Sequence, residues 1–236
     1  VNSFSPRALS FVDIPNAANS VDVEGDYAYV AAGISGLQIV DVSNRRNPSI
    51  VSSLDTAGEA FDVRVVGDRA YLADGVAGLV IVDISDPNNP SLVSSVNTPG
   101  VAFDVMPAGD RVYLADGEDG LAIIDPSAGA IVASVDTPGL AIGVDVDLVR
   151  GIAVVADGEE GIQIVDLNTL GILGSVDTGI AQDVLIYSDT HLFVADNESS
   201  FTSVSISDLS SPSVLASTPR GNGGLLKDLV VRDSFA

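Results

Sequence analysis

Short apolar runs, broken by Gly-Asp and Asp-Pro pairs, recur along this chain with a period of about forty residues. The clearest phrase is Gly78-Leu79-Val80-Ile81-Val82-Asp83, with copies at 36–41, 120–125 and 161–166 and a worn one at 200–205. In the second copy, residues 60–66 read as a strand, Gly67-Asp68 as a turn, and 69–73 as the returning strand. A two-residue turn containing Gly between β-rich runs marks a hairpin, because primed turns need positive φ. The loop Asp74-Gly75-Val76-Ala77 leads to a third strand at 79–84, and Asp86-Pro87-Asn88-Asn89-Pro90 turns the chain into a fourth at 91–96. After Asn97-Thr98-Pro99-Gly100 the pattern restarts at Val101-Ala102-Phe103-Asp104.

Four short antiparallel strands per repeat of about forty residues is the content of a β-propeller blade. A β-helix is excluded because its coils hold no antiparallel hairpins, whereas Gly25-Asp26, Gly67-Asp68 and Gly109-Asp110 all sit where hairpin turns belong. Strands such as Leu79-Val80-Ile81-Val82 are apolar on both faces, as a sheet between two neighbours requires. The reading is therefore all-β: a single propeller domain over 1–236, with complete blades at about 19–55, 60–97, 102–136, 142–177 and 181–218. Residues 7–14 are expected to form a lone fourth strand and 225–232 a lone first strand, as if a parent of six or more blades were cut within a repeat.

Composition narrows the chemistry. Hydrophobic residues are 46% of the 236, but aromatics only 5% with no Trp, so the core must be built of Val, Ile, Leu and Ala. No apolar run approaches the ~18 residues of a membrane span, and no signal peptide opens the chain. Thirty-three acidic residues against ten basic ones give a net charge of -23, which repels phosphate backbones and anionic lipid. Nucleic acid and direct membrane insertion are thus poor partner classes, and cations or basic proteins better ones. With no Cys, disulfides, thiol catalysis and thiolate metal sites are excluded.

Leu79-Val80-Ile81-Val82-Asp83, with Tyr71-Leu72-Ala73-Asp74-Gly75 and Asp86-Pro87-Asn88-Asn89-Pro90, resembles the LVIVD repeat family over essentially the whole chain. The resemblance implies a propeller in a bacterial or archaeal protein that is exported or surface-attached, and it carries no shared catalytic residue. The first copy departs from it where Ala31-Ala32-Gly33 lacks the Asp, and the fifth where Ser205 replaces the strand Asp.

Two sets of aspartates recur. Asp22, Asp62, Asp104, Asp145, Asp183 and Asp228 open first strands, and Asp74, Asp116, Asp157 and Asp196 sit in the loops between second and third strands. Both sets are expected on one face, the first lining the mouth of the central channel. Gathered carboxylates need a bridging cation, hydrogen bonds or a shared proton. Ca²⁺ at Asp62, Asp104, Asp145 and Asp183 is the candidate metal site, and Asp74, Asp116, Asp157 and Asp196 are candidate ligand-binding positions. The competing reading is that each Asp accepts main-chain N–H groups in its own turn. No cofactor is required by either.

The acidic loop from Asp116 lacks the EF-hand's final Glu, since its twelfth position is Ser127. The single histidine, His191, lies within a strand and reads as structural. Arg220-Gly221-Asn222-Gly223-Gly224 is a weak phosphate cradle because a strand, not a helix, follows. The leading expectation is a non-enzymatic binding or scaffold module, extracellular or at the cell surface, with a protein or glycan ligand. The rivals are a carbohydrate-active enzyme using central carboxylates and a structural module that self-assembles through its edges.

Overall fold

The repeat period folds into five four-stranded antiparallel sheets. They are seen in a computed structural model, which describes residues 8–197 and 200–218. The first sheet runs β1 (Ser20–Glu24), β2 (Tyr27–Ala31), β3 (Leu37–Asp41), β4 (Ser49–Leu54). The second runs β5 (Asp62–Val66), β6 (Arg69–Ala73), β7 (Leu79–Asp83), β8 (Ser91–Val96), and the third β9 (Asp104–Ala108), β10 (Arg111–Ala115), β11 (Leu121–Asp125), β12 (Ala130–Val135). The fourth is β13 (Gly143–Asp147), β14 (Ile152–Ala156), β15 (Ile162–Asp166), β16 (Gly171–Val176). The fifth is β17 (Ala181–Ser188), β18 (His191–Asp196), β19 (Ser200–Ser205), β20 (Ser213–Thr218). Strands within a sheet pair in chain order, and the first strands β1, β5, β9, β13 and β17 neighbour one another in succession. That is the blade arrangement of a propeller, with first strands innermost.

The hairpin turns form where the sequence places them. Val66 pairs with Arg69 across Gly67-Asp68, and Gly67 has φ +57°.

The alternation of the repeat phrase sets how blades stack. Leu79 and Ile81 of β7 face the third sheet, packing with Ala102, Val105, Val112 and Leu114. Val80 and Val82 of the same strand face the first sheet, packing with Tyr29, Ala31, Leu37 and Ile39. Side chains alternate across a strand, so Leu-Val-Ile-Val is a sheet buried on both sides. The seams from third to fourth and from fourth to fifth sheet repeat this, through Leu121 and Ile123, then Ile162 and Ile164.

Each outer strand carries a β-bulge at the same place. Ile81 pairs with Ser94 and Val82 with Leu92, leaving Val93 as the extra residue, and Val51, Val132, Leu173 and Leu215 are its counterparts. A bulge twists a free edge and blunts it as a template for pairing with another chain.

The lone strand expected at 7–14 does not form over its described residues: 8–14 are irregular. Among the described residues it pairs with no strand. It packs through Val12 and Ile14 against Ala28, Val30 and Val40 on the first sheet's outward face, and the Ser10 hydroxyl donates to the Arg45 carbonyl at 2.6 Å. The strand expected at 225–232, with Asp228 and the Arg220–Gly224 connector, lies outside the described residues.

Candidate functional site

The loop aspartates tie the blades together at the connectors. In the second sheet, Asp74 accepts the Thr56 hydroxyl on one oxygen at 2.6 Å and the Gly58 N–H on the other at 2.8 Å. Asp116 does the same with Thr98 and Gly100, and Asp157 with Thr137 and Gly139. Each therefore holds the segment that arrives from the preceding blade. The next residue reaches the other way: Gly75 bridges Ala102, Gly117 bridges Ala141, and Gly158 bridges Ala181. Asp74, Asp116, Asp157 and Asp196 are all fully buried. Asp196 ends β18 at the equivalent position of the fifth sheet, against Gly179. Burial pushes the carboxyls of Asp74, Asp116 and Asp157 up, while the Thr hydroxyls and Gly N–H groups oppose it. The competing reading of the sequence placed their hydrogen bonds in their own turns, but for Asp74, Asp116 and Asp157 the donors belong to connectors sixteen to twenty residues away. The Thr-x-Gly spacing of Thr56, Thr98 and Thr137 was the available signal.

The strand-opening aspartates do not form one ring, and here the sequence register needs correction. Asp62, Asp104 and Asp183 share a level, paired with Ala73, Ala115 and Ala195. Asp145 pairs with Val154 and Asp22 with Tyr29, two residues further along their strands. The residues level with Asp62 in those blades are Gly143 and Ser20, which pair with Ala156 and Ala31. Two residues is a shift of about 6.7 Å along a strand, so Asp145 lies one pleat deeper. The Asp-Val dipeptide common to all five strands hid the offset. Burial exposes it: Val63 and Val105 are buried, and so is Val144, which precedes Asp145.

These carboxylates serve the inner edge. An innermost strand has N–H groups without ladder partners, and the aspartates bridge them to the next blade. Asp104 accepts Val105 N–H at 2.8 Å and Val144 N–H of β13 at 2.7 Å. Asp145 accepts Val146 N–H and, from β17, Ile186 N–H at 2.7 Å. Asp22 accepts Val23 N–H and, from β5, Val65 N–H at 2.8 Å. Asp62 accepts the Ser20 hydroxyl at 2.5 Å and a long contact from Val105 N–H at 3.3 Å. Asp183 accepts Val184 N–H at 2.8 Å, so all four candidate Ca²⁺ ligands carry hydrogen bonds within the protein. Among the described residues no group of three or more His, Asp or Glu is placed to hold a metal ion.

What the inner strands do enclose is a pocket of about 320 Å³, lined from all five blades. Asn19, Ser20, Asp62, Arg64, Asp104, Gln182 and Asp183 contribute its polar lining. Phe61, Phe103, Leu140 and Ile142 contribute its apolar lining, the two phenyl rings tilted at 52° with centroids 5.1 Å apart. Gly143 lets β13 and β17 approach closely beside the pocket, because a Cβ at that position would lie 2.8 Å from the Asp183 Cα. Arg64, one pleat below, brings its Nε to 3.6 Å from an Asp62 oxygen. Asp104 is the perturbed acid. Burial drives its carboxyl well above the usual range, and the charge of Asp62 and a hydrogen bond with it push the same way. The charge of Asp183 adds to this and Arg64 opposes it. The two N–H donors on Asp104 favour the ionised form, but burial beside a second carboxylate outweighs them.

The comparisons agree with this architecture. The LVIVD repeat model matches residues 15–56, 57–98, 99–137 and 178–218. This chain belongs to the LVIVD repeat family. The unmatched interval contains the fourth sheet, a complete blade all the same. Among solved structures, the computationally designed protein Ika8 superposes with a TM-score of 0.68 at 8% identity, over 89% of this chain and 63% of its own. The chain thus spans under two thirds of that protein's length, and the likeness is one of fold. Among curated proteins no sequence matches.

Proposed function

We propose that this propeller is a binding module whose ligand sits in the central pocket, carried by an exported or cell-surface protein. The observation behind it is that the second, third and fourth blades repeat their connector bonds, whereas the five blades share no one residue at the pocket. The same level of the inner strand reads Ser20, Asp62, Asp104, Gly143 and Asp183. A rigid frame presenting one irregular, partly apolar concavity suits recognition of a small ligand group. The extracellular placement rests on the family resemblance and on a charge of -23, which suits a soluble surface exposed to cations. The test is a binding screen of glycans, peptides and small molecules, repeated with Phe61→Ala and Asp183→Asn. A ligand bound equally by both variants would place the site elsewhere.

The Asp62–Asp104 pair supports a second reading, a hydrolase in which Asp104, its carboxyl raised by burial and by its neighbour, supplies the proton. Turnover of a bound glycoside, lost in Asp104→Asn, would establish it. Ca²⁺ on the acidic face finds less support, since the candidate carboxylates are already engaged by N–H and hydroxyl donors. Edge-to-edge assembly is likewise disfavoured by the five outer-strand bulges.

A further inference from the structure

We infer that residues 225–232 of this chain dock between the first and fifth sheets as the inner strand of a sixth blade. The inference goes beyond the binding reading and does not depend on it. Its ground is two sheet faces that the other blades keep covered. On the first sheet Val21 is 54% exposed, although its counterparts Val63, Val105, Val144 and Val184 are buried against the sheet that precedes each. Val23, on the same face, is 50% exposed. Val12 and Ile14 pack on that face at Ala28, Val30 and Val40, and its inner strand stays half-exposed.

The fifth sheet presents the matching face. Val184, Leu192, Val194 and Val204 pack against the fourth sheet, so alternation turns Leu185, Phe193 and Phe201 the other way. Phe201 holds the position of Leu37, Leu79, Leu121 and Ile162, which are fully buried, yet Phe201 is only half-buried. Its ring centroid lies 5.0 Å from that of Phe193, which lies 5.2 Å from that of Tyr187. Among the described residues the first and fifth sheets share no packed core, though both border the central pocket. Contiguous apolar surface of this kind marks an interaction site.

Three features make this chain's own segment the occupant. Leu226-Lys227-Asp228-Leu229-Val230-Val231 repeats the order of Ala60-Phe61-Asp62-Val63-Arg64-Val65 and of Ala181-Gln182-Asp183-Val184-Leu185-Ile186. Its reach fits as well. Seven or eight residues carry each fourth strand to the residue level with Asp62 in the next blade, and Asp228 comes ten after Thr218. The hydrogen-bond pattern then extends by one blade. Asp62 and Asp104 each accept an N–H from the following inner strand, at Val105 and Val144. In the docked strand the corresponding N–H is that of Leu229, aimed at Asp183, with the Leu229 and Val231 side chains against Phe193 and Phe201. A second copy would bring another charge of -23 against the first, whereas a short tether gives the segment a high local concentration.

Deuterium exchange of the full chain reads the docking directly, with a synthetic peptide of residues 222–234 as the undocked reference. Residues 225–232 should exchange about tenfold or more slowly in the chain than in the peptide. Phe201→Asp sets a charge on the receiving face and should abolish that protection. Continued protection of β5 to β15 shows that the variant folds, and Phe193→Ser puts the same question with a milder change. Sedimentation of the full chain over about a hundredfold range of concentration separates docking within one chain from pairing between two. Exchange at the peptide's rate overturns the inference. So does protection that survives both substitutions, which puts the segment elsewhere. Protection that appears only with dimerisation also overturns it and gives the two faces to a second copy. The ligand screen on the pocket is a separate measurement, so either reading can fail without the other.

Discussion

The loop aspartates and the mouth aspartates look alike in the sequence and differ in what they do. Asp74, Asp116 and Asp157 each hold one Thr hydroxyl and one Gly N–H with the same geometry in three successive blades. At the mouth, Asp62, Asp104 and Asp183 share their level with Ser20 and Gly143, and each acid has a different set of neighbours. In a ring of repeats, a residue that recurs with its partners builds the ring. A site is found where the copies stop agreeing, because a ligand at the centre meets all the blades from different sides.

The sharpest way to break the repeated apparatus is Gly78→Ala. Gly78 has φ +74°, and a Cβ there would meet the Val96 carbonyl at 2.4 Å and the Thr98 nitrogen at 2.6 Å. Neither backbone atom can move aside cheaply, so thermal or urea unfolding should show a loss of about 4 kcal/mol or more. Gly67→Ala, at a similar φ with open space around it, should cost only about 1–2 kcal/mol.

Asp116→Ala comes next. It strands the Thr98 hydroxyl and the Gly100 N–H, and should cost about 3 kcal/mol by denaturant unfolding. Thr98→Val, which leaves one buried oxygen short of a donor, should cost about 1–2 kcal/mol.

Asp104 separates the two sets through pH. Its folded pKa is raised, so the stability tied to its proton is complete below the ordinary carboxylate value of about 4. That stability is lost as pH climbs through the raised value. The melting temperature should therefore decline from mildly acidic toward neutral pH, and Asp104→Asn should flatten the decline. The buried loop acids contribute to the same limb and should remain in the variant. The strand-ending acids act oppositely. Asp83, lowered to about 2 by the Ser85 hydroxyl and N–H and by Arg69, supports the fold above the ordinary carboxylate range and loses that support as pH falls through its own value. Asp83→Asn should soften the acid limb of the same profile.

The smallest expected effect is that of a chelator. With the mouth carboxylates held by main-chain and hydroxyl donors, EDTA should leave the melting temperature unchanged within about 1 °C, since no stabilising ion is withdrawn. A fall of several degrees, with Ca²⁺ restoring it, would show that a metal joins the mouth after all.

Much of this architecture was legible from local pattern. Leu79 and Ile81 facing one neighbour with Val80 and Val82 facing the other follows from strand alternation, and the Gly67-Asp68 turn follows from positive φ. Asp62 standing opposite Ala73 follows from that turn's length. The register of the inner strand was less legible. Asp-Val at 145–146 imitates Asp-Val at 62–63, and only pairing with β14 shows that Gly143 is the true counterpart of Asp62. Residues 8–14 carry strand-like composition yet form no ladder, because a strand exists only where another edge receives it.

By itself the sequence determined the blade: its four strands, its tight turns and its two oily faces, all consequences of interactions within about forty residues. The tertiary structure alone decided which carboxylates are shared between blades, which lie level with one another, and that apolar side chains line the pocket with them. Those relations join residues about forty positions apart through hydrogen bonds and packing around a common centre, and no periodicity along the chain encodes the distance between them.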